Sequence, residues 1–385
     1  MAIYIFGEMQ NGKARRIYAS TRYPSRQSGV TFYDADAPLK VTDTTPVDFR
    51  GFYSAVSFKP SYVIASRDVI GGKPLYYSHS LTFSSFKWYF DEEPVEIEPG
   101  EVLKMDYNGM VIERKKFHFG DVFKLEFSDP AELMEKIERS LLSFKPGHSC
   151  LAFSGGVDSS LLAALYDVQL VTVTSSDREE EWVKKVAGEL GKSVEVFRFD
   201  ESYVKDVLPE VISTIETVNP LHIAISIPVY ASLEFAKSLG YSSIIFGQGA
   251  DELFGGYKRY ETMDKFQLED AMLNDVRNLG RDNLTRDCKL AYRKEMRLLL
   301  PYLQWDVIEA AINLPAEMKV RKVNGSITRK YALRELASSY LPKDVAYRDK
   351  KAMQYSTKTQ DILMKFAKRE GLKLEEYLRK VRSEG

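Results

Sequence analysis

Over the first 125 residues, apolar positions come in short runs separated by turn residues, as at 54–58, 62–66, 75–77 and 102–105. These runs are rich in aromatic and β-branched side chains, which fit a pleated, half-buried surface, so they predict a β-rich domain. Asn11-Gly12 lies between the strand candidates 4–8 and 16–20 and predicts a two-residue hairpin turn. The pattern changes near residue 126. Asp129-Pro130 opens a helical segment running through Leu142, with Ser128 or Asp129 as cap and Pro130 at the first helical position, where its missing N–H is not needed. Strands are then predicted at 149–153, 169–174, 193–199 and 242–246, and helices at about 159–167, 178–190, 202–217 and 224–239. Alternation at this spacing predicts right-handed βαβ units around a parallel sheet. After Tyr257 the chain reads as mainly helical, with helices at 303–314 and 327–340 ended by Pro315 and Pro342, and a tail at 357–385 that reads as one docked amphipathic helix. The expected fold class is therefore α/β: a smaller β-rich (α+β) domain at 1–125, then a parallel-sheet domain with a helical C-terminal part at 126–385.

Composition narrows the function classes. The 385 residues carry 54 basic and 55 acidic side chains, which gives no global attraction to nucleic acid or to an anionic membrane. No apolar run reaches transmembrane length and residues 1–10 do not read as a signal peptide. The two cysteines, Cys150 and Cys288, lie far apart in sequence and predict reduced thiols in a cytoplasmic protein, Cys150 being buried in a strand. In that compartment the sequons at Asn283 and Asn324 carry no weight. His79, His118, His148 and His222 are scattered without metal-ligand spacing, so no transition-metal site is expected.

The candidate chemistry centres on residues 149–165. A short apolar run ends at Phe153, the chain turns through Ser154-Gly155-Gly156, and a Leu/Ala-rich helix follows Val157. Strand, tight loop and helix place the loop at a helix N-terminus. Gly155 and Gly156 let backbone amides approach an anion, while Ser154, Ser159 and Ser160 supply hydroxyls and the helix dipole favours negative charge. Asp158 inside this phosphate cradle would repel phosphates unless a cation intervened, so it implies Mg²⁺. The spacing of a mononucleotide P-loop is absent, and Gly191-Lys192-Ser193 lacks the upstream glycine of that motif, Val186 standing there instead. Gly191 reads as a helix stop. A second strand candidate at 241–246 runs into Gly247-Gln248-Gly249-Ala250-Asp251-Glu252-Leu253-Phe254-Gly255-Gly256-Tyr257. Two loops at strand ends, each bearing an aspartate, fit an α/β sheet that binds its ligand there, which makes Asp251 a second Mg²⁺ ligand or, more simply, a helix cap.

The stretch SGGVDSS at 154–160 resembles the pyrophosphate-binding loop of N-type ATP pyrophosphatases, and GQGADELFGGY at 247–257 is similar to the corresponding motif of glutamine-hydrolysing asparagine synthetases and β-lactam synthetases. The resemblance implies ATP and Mg²⁺ as ligands, with Ser154, Gly155, Gly156, Val157, Asp158, Ser159, Ser160, Gly247 and Gly249 around the nucleotide and Asp158 and Asp251 on the metal. Thr328-Arg329-Lys330-Tyr331-Ala332-Leu333-Arg334-Glu335 is similar to the family's segment carrying a phosphate-contacting lysine, which makes Lys330 the catalytic candidate. Tyr347-Arg348-Asp349-Lys350-Lys351 resembles a basic segment that closes the site. Arg348 and Lys350 are therefore phosphate or substrate contacts or, equally, part of a charged loop. Residues 49–56, 66–77 and 97–101 look like the later half of the family's Ntn-amidotransferase domain, and Arg67 and Asp68 read either as a pair in the family's way or as a surface ion pair near a turn.

Three departures bear on function. Ala2 stands where the family has its catalytic cysteine, and the first fifty residues are too few for the family's remaining glutamine-binding segments, so the domain is expected to lack glutaminase activity. Gln248 stands at the position of a glutamate that acts as base, and an amide can position a nitrogen but cannot take its proton. In the segment Leu300-Pro301-Tyr302-Leu303-Gln304, Leu299 and Gln304 replace an arginine and an aspartate, so aspartate is not assured as the acid. The reading is an AMP-forming amide ligase that activates a carboxylate as its acyl-adenylate and transfers ammonia or another amine. Its partners are small molecules, with a separate glutaminase subunit or a second copy of the chain also allowed. The alternatives are a tRNA- or metabolite-modifying ATP pyrophosphatase and a nucleotide-binding homologue without catalysis. The lack of CxxC pairs and the balanced charge weigh against tRNA.

Overall fold

The computed structural model describes residues 4–10, 13–19, 25–39, 46–323, 326–348 and 358–384. The chain divides into two compact units, one comprising Met1–Glu126 with Leu273–Glu295, the other Phe127–Met272 with Met296–Gly385.

The first unit is built from two antiparallel sheets. One runs in the order Lys13–Ala19, Tyr4–Gln10, Thr82–Ser84, Tyr76–Tyr77, Val95–Glu96, and the other Val111–Lys116, Glu101–Met105, Val63–Arg67, Tyr53–Phe58, Thr31–Ala35, Arg26–Ser28. The expected turn residues Asn11 and Gly12 lie outside the described residues. Side chains of both sheets, among them Phe58, Val63, Leu103, Tyr77 and Phe83, share one apolar cluster, and Tyr33, Phe49, Tyr53 and Ala55 form a second. Every residue of Tyr53–Phe58 is buried, as follows when both faces of a strand are covered.

The sequence reading gave 126–385 to one domain, but residues 273–295 group by contact with the first unit. Within that unit, the Tyr292 hydroxyl donates to Asp34, Cys288 Sγ donates to the Gly72 carbonyl at 3.2 Å, and a Cβ on Gly280 would stand 1.9 Å from the Ile70 carbonyl. Arg67 and Asp68 are not a surface ion pair. Both are buried; the Arg67 guanidinium donates to Glu96 at 2.8 Å, Ile97 O at 2.6 Å and Gly71 O at 2.8 Å, whereas Asp68 accepts from the backbone N–H groups of Tyr53, Ile70, Gly71 and Gly72. The two side chains brace the turn that follows them.

The second unit holds a parallel sheet in the order Val194–Arg198, Gln169–Thr174, Cys150–Ala152, Ser243–Ile245, Arg297–Leu299. The α/β class with a parallel sheet is as expected. Helices Pro130–Ser143, Val157–Leu165, Asp177–Glu189, Glu201–Ile215 and Pro220–Ser238 fall where the periodicity put them, apart from their ends. Asp129 caps the first of these by accepting from Ala131 N at 2.8 Å, and Gly191, at φ +65°, follows the third. Asn219 caps the last, four residues earlier than the apolar pattern suggests, by accepting from Leu221 N at 3.0 Å and His222 N at 3.2 Å.

Three expectations after Tyr257 are corrected. Arg297–Leu299 is a sheet strand, too short to show a period, pairing in parallel with Ser243–Ile245. Residues 327–329 are not helical: Ser326–Arg329 pairs antiparallel with Val320–Val323, and the helix begins only at Tyr331. The tail is two helices, Thr359–Arg369 and Leu374–Glu384, separated at Gly371, whose φ of +69° ends the first. Among the described residues, no helix is long and apolar enough to cross a membrane. Both cysteines are buried and free, and burial pushes both thiols up to about 12, so neither serves as a thiolate at neutral pH.

Candidate active site

From Cys150–Ala152 the chain winds outward through Gln169–Thr174 to Val194–Arg198, then returns to add Ser243–Ile245 on the other side. The winding direction reverses between Cys150–Ala152 and Ser243–Ile245, and the crevice beyond the carboxyl ends of two such strands is where an α/β sheet takes its ligand. Both candidate loops leave from those ends. They pass so closely that a Cβ on Gly247 would stand 3.2 Å from the Asp158 Cβ.

The first loop is held open from within. The Ser154 N–H donates to Ser159 Oγ at 3.1 Å, the hydroxyls of Ser154 and Ser159 are 3.1 Å apart, and the Ser159 hydroxyl also reaches Gly156 O at 3.3 Å. Gly155 adopts φ +64°, which glycine takes without a Cβ penalty. Gly156 is the N-cap of Val157–Leu165 and offers no side chain to the first amides of that helix. The Ser160 hydroxyl is fully buried and has no hydrogen-bond partner among the described residues. An anion at this helix N-terminus would satisfy donors that the protein leaves unmet.

The second loop brings up a carboxylate. Gly249, at φ +90°, is the N-cap of Ala250–Phe254, so the simpler reading of Asp251 as a helix cap is set aside. Asp251 points from the first turn to Lys330. The Lys330 ammonium lies 2.6 Å from Asp251 Oδ1 and 2.7 Å from Asp158 Oδ1, with the lysine side chain 3% exposed. Lys330 itself sits between a strand and a helix at φ +56°, a left-handed conformation that costs a non-glycine residue about 1 kcal/mol or more. Gly256 makes room for the contact: a Cβ there would stand 1.9 Å from Asp251 Oδ1 and 2.4 Å from Lys330 Cε. Arg329 fastens the same strand end, donating to Gly256 O at 2.7 Å and pairing with Glu261 at 3.0 Å.

Two carboxylates whose oxygens converge on one cation suit a hard divalent ion completed by phosphate oxygens and water. Among the described residues, no group of three or more His, Cys, Asp or Glu is placed to hold a metal, so this pair is not part of a closed all-protein cage. The donors fit a metal that arrives with phosphates.

Several site neighbours were not assigned from sequence. The Tyr302 hydroxyl donates to the Asp158 carbonyl at 2.8 Å and fixes its backbone. Glu252 is buried beside Asp251 and accepts from the Tyr257 hydroxyl at 2.5 Å; burial, reinforced by the Asp251 charge, pushes its carboxyl up to about 7. Trp182 donates its indole N–H to Gly155 O at 2.9 Å, and Arg348 stacks 3.7 Å from the indole centroid while standing 3.7 Å from Glu179. Arg348 is thus engaged as a stacking partner, and the neighbouring Asp349, Lys350 and Lys351 lie outside the described residues. Gln248 is half-buried in the turn before Ala250–Phe254. Leu299 ends the strand beside Ile245, and the Gln304 amide is spent on Ser140 O at 3.1 Å and Pro301 O at 3.0 Å.

Comparison with known proteins adds an independent line. Residues 133–269 and 261–381 match the family model described as asparagine synthase, more than half of the 385-residue chain. A protein assigned as asparagine synthetase (glutamine-hydrolyzing) 1 in Methanocaldococcus jannaschii is 31% identical over 327 residues, covering 75% of this chain and 58% of its own length. The root asparagine synthetase (glutamine-hydrolyzing) of Pisum sativum is 27% identical over 325 residues, covering 75% of this chain and 55% of its own. The chain therefore spans somewhat more than half the length of these relatives. A solved NMN synthetase from Francisella tularensis aligns with 40% of this chain and 71% of its own at 16% identity and a TM-score of 0.25, which carries no argument.

Proposed function

The chain belongs to the asparagine synthase family, and from that premise we propose that it is an ATP-dependent, AMP-forming amide ligase. A carboxylate oxygen attacks the α-phosphate of ATP, the bond to pyrophosphate breaks, and an amine then displaces AMP from the acyl-adenylate. The observation that carries this reading is the convergence of Asp158, Asp251 and Lys330 beside a helix N-terminus with unmet donors.

Each residue has a role in the proposal. The amides at Gly155 and Gly156 and the hydroxyls of Ser154, Ser159 and Ser160 hold the pyrophosphate group, with Val157, Gly247 and Gly249 shaping the nucleotide crevice. Asp158 and Asp251 hold Mg²⁺, which when bound offsets phosphate charge. Lys330 supplies a fixed ammonium to the charge that develops on the α-phosphate and the leaving pyrophosphate. Such preorganised charge is usually the largest single contribution to catalysis of this kind. Gln248 presents an amide that orients the incoming nitrogen without taking its proton. Nitrogen arrives as ammonia or another amine, released by a separate glutaminase if glutamine is the source. A cytoplasmic setting, where ATP and Mg²⁺ are supplied, belongs to the same proposal.

The test is release of AMP and pyrophosphate from Mg-ATP over a panel of carboxylic acids beginning with aspartate, with and without ammonium. Asp158→Asn is expected to abolish release, and release by that variant at the parent's rate would sink the assignment. Gln248 favours a second reading, a nucleotide-binding homologue without catalysis. ATP binding without turnover on any acid would select it.

A further inference from the structure

Trp182 stands behind the phosphate cradle, on the helix Asp177–Glu189. Its indole N–H draws the Gly155 carbonyl toward it at 2.9 Å. In a planar trans peptide the carbonyl and the following N–H point in opposite directions. The Gly156 N–H therefore points away from the indole. Among the described residues it meets the Ser154 hydroxyl at 3.4 Å, the outer limit of a hydrogen bond. This donor is aimed and weakly used.

The arrangement is locked on both sides. A Cβ on Gly155 would stand 2.6 Å from Trp182 Nε1, so the indole fills the volume a side chain would take. The Arg348 guanidinium lies 3.7 Å from the indole centroid and 3.7 Å from Glu179, one turn earlier on the same helix. Arg334 ties this stack to the catalytic lysine: its Nη1 donates to the Arg348 carbonyl at 3.1 Å and the Ala346 carbonyl at 2.6 Å, and its Nε donates to Arg329 O at 2.8 Å, the residue before Lys330. One buried arginine thus fixes both the indole's lid and the backbone that presents Lys330.

We propose that Trp182 is a positioning residue for phosphate binding. By holding the Gly155 carbonyl it turns the Gly156 N–H into the cradle and keeps the carbonyl's negative end away from the anion. The inference rests on the reading of 154–160 as a pyrophosphate site. Trp182 acts through Gly155 and touches no ligand.

The experiment uses the full chain labelled with ¹⁵N-glycine, in parent, Trp182→Phe and Arg348→Gln forms, titrated with pyrophosphate in the presence of Mg²⁺. Trp182→Phe keeps an aromatic ring and removes the N–H. In the parent the Gly156 amide proton moves downfield on saturation, as a new hydrogen bond to a charged oxygen requires. In Trp182→Phe that shift is lost and the pyrophosphate Kd rises about tenfold, while the other glycine amides keep their positions. Arg348→Gln, which leaves the indole N–H in place, weakens binding about two- to threefold. The proposal is overturned if Trp182→Phe binds pyrophosphate with the parent's Kd and the parent's Gly156 shift. It is equally overturned if glycine amides move throughout the variant's spectrum, since the role is then structural. If the parent binds no pyrophosphate, the reading of the loop as a phosphate site falls, and this inference with it.

Discussion

The ammonium of Lys330 sits 2.6 Å from the carboxylate of Asp251, and its position is also 2.7 Å from Asp158. Two acidic side chains from two loops are held together by one lysine from a third segment, at the point where the proposed reaction needs a divalent cation. In the proposed reaction, lysine and metal compete for the same two carboxylates when nucleotide is absent. Lys330→Gln is therefore expected to reduce pyrophosphate release by about 10²-fold or more. It is also expected to create a saturable Mn²⁺ site, seen by electron paramagnetic resonance without nucleotide, that the parent lacks. Equal Mn²⁺ affinity in both would remove the competition.

Gly256 is required by space. Its Cβ would overlap Asp251 and crowd Lys330 Cε. Gly256→Ala is expected to cost about 1–3 kcal/mol in urea unfolding, typical of overpacking, and to lower pyrophosphate release as severely as Lys330→Gln. A variant with the parent's stability and activity would mean that the contact is not needed.

Gln248→Glu separates the two half-reactions. In the proposed reaction a carboxylate at this half-buried turn supplies a base to the incoming nitrogen, so amide formation from ammonium near pH 8 is expected to rise about tenfold or more. Acid-dependent pyrophosphate release should stay at the parent's rate. Product quantified by mass spectrometry alongside a pyrophosphate assay checks both.

Lys319 gives the pH dependence. It is buried, and burial lowers its ammonium from 10.5 to about 8, only partly offset by Glu269. Below pH 8 the folded chain carries a charge that the unfolded chain solvates better. This penalty fades as the pH rises from about 8 to 10.5, the window between the folded and unfolded values. Lys319→Met is expected to be more stable than the parent at pH 7, by about 3 kcal/mol at most at 1.36 kcal/mol per pKa unit. The advantage should largely vanish by pH 10. Urea unfolding at the two pH values checks the sign.

Much of this site was legible in the sequence because its chemistry is local. A strand, two glycines and a helix at 150–165 follow from the local pattern, and they put Asp158 in the first turn of a helix whose N-cap is Gly156. The rest depends on contacts between distant segments. Residues 327–329 look helical by the spacing of their apolar neighbours, yet Ser326–Arg329 pairs with Val320–Val323 and turns Lys330 into the left-handed region. Residues 273–295 join the first unit through Tyr292–Asp34 and Cys288–Gly72, bonds that no local pattern announces. Arg67 and Asp68 read either as a pair in the family's way or as a surface ion pair, and burial with backbone partners removes the second reading. Trp182 gave no signal, since its role is visible only once Gly155 is seen to face it.

The central claim is that a carboxylate becomes an acyl-adenylate in the crevice of Asp158, Asp251 and Lys330. It is tested most directly by incubating the chain with Mg-ATP, ammonium and carboxylic acids carrying ¹⁸O in the carboxyl group, and weighing the AMP formed. The account predicts AMP with one ¹⁸O on its phosphate, in equal amount to pyrophosphate and amide, and none from Asp158→Asn. Unlabelled AMP, or ADP and phosphate in its place, would contradict it.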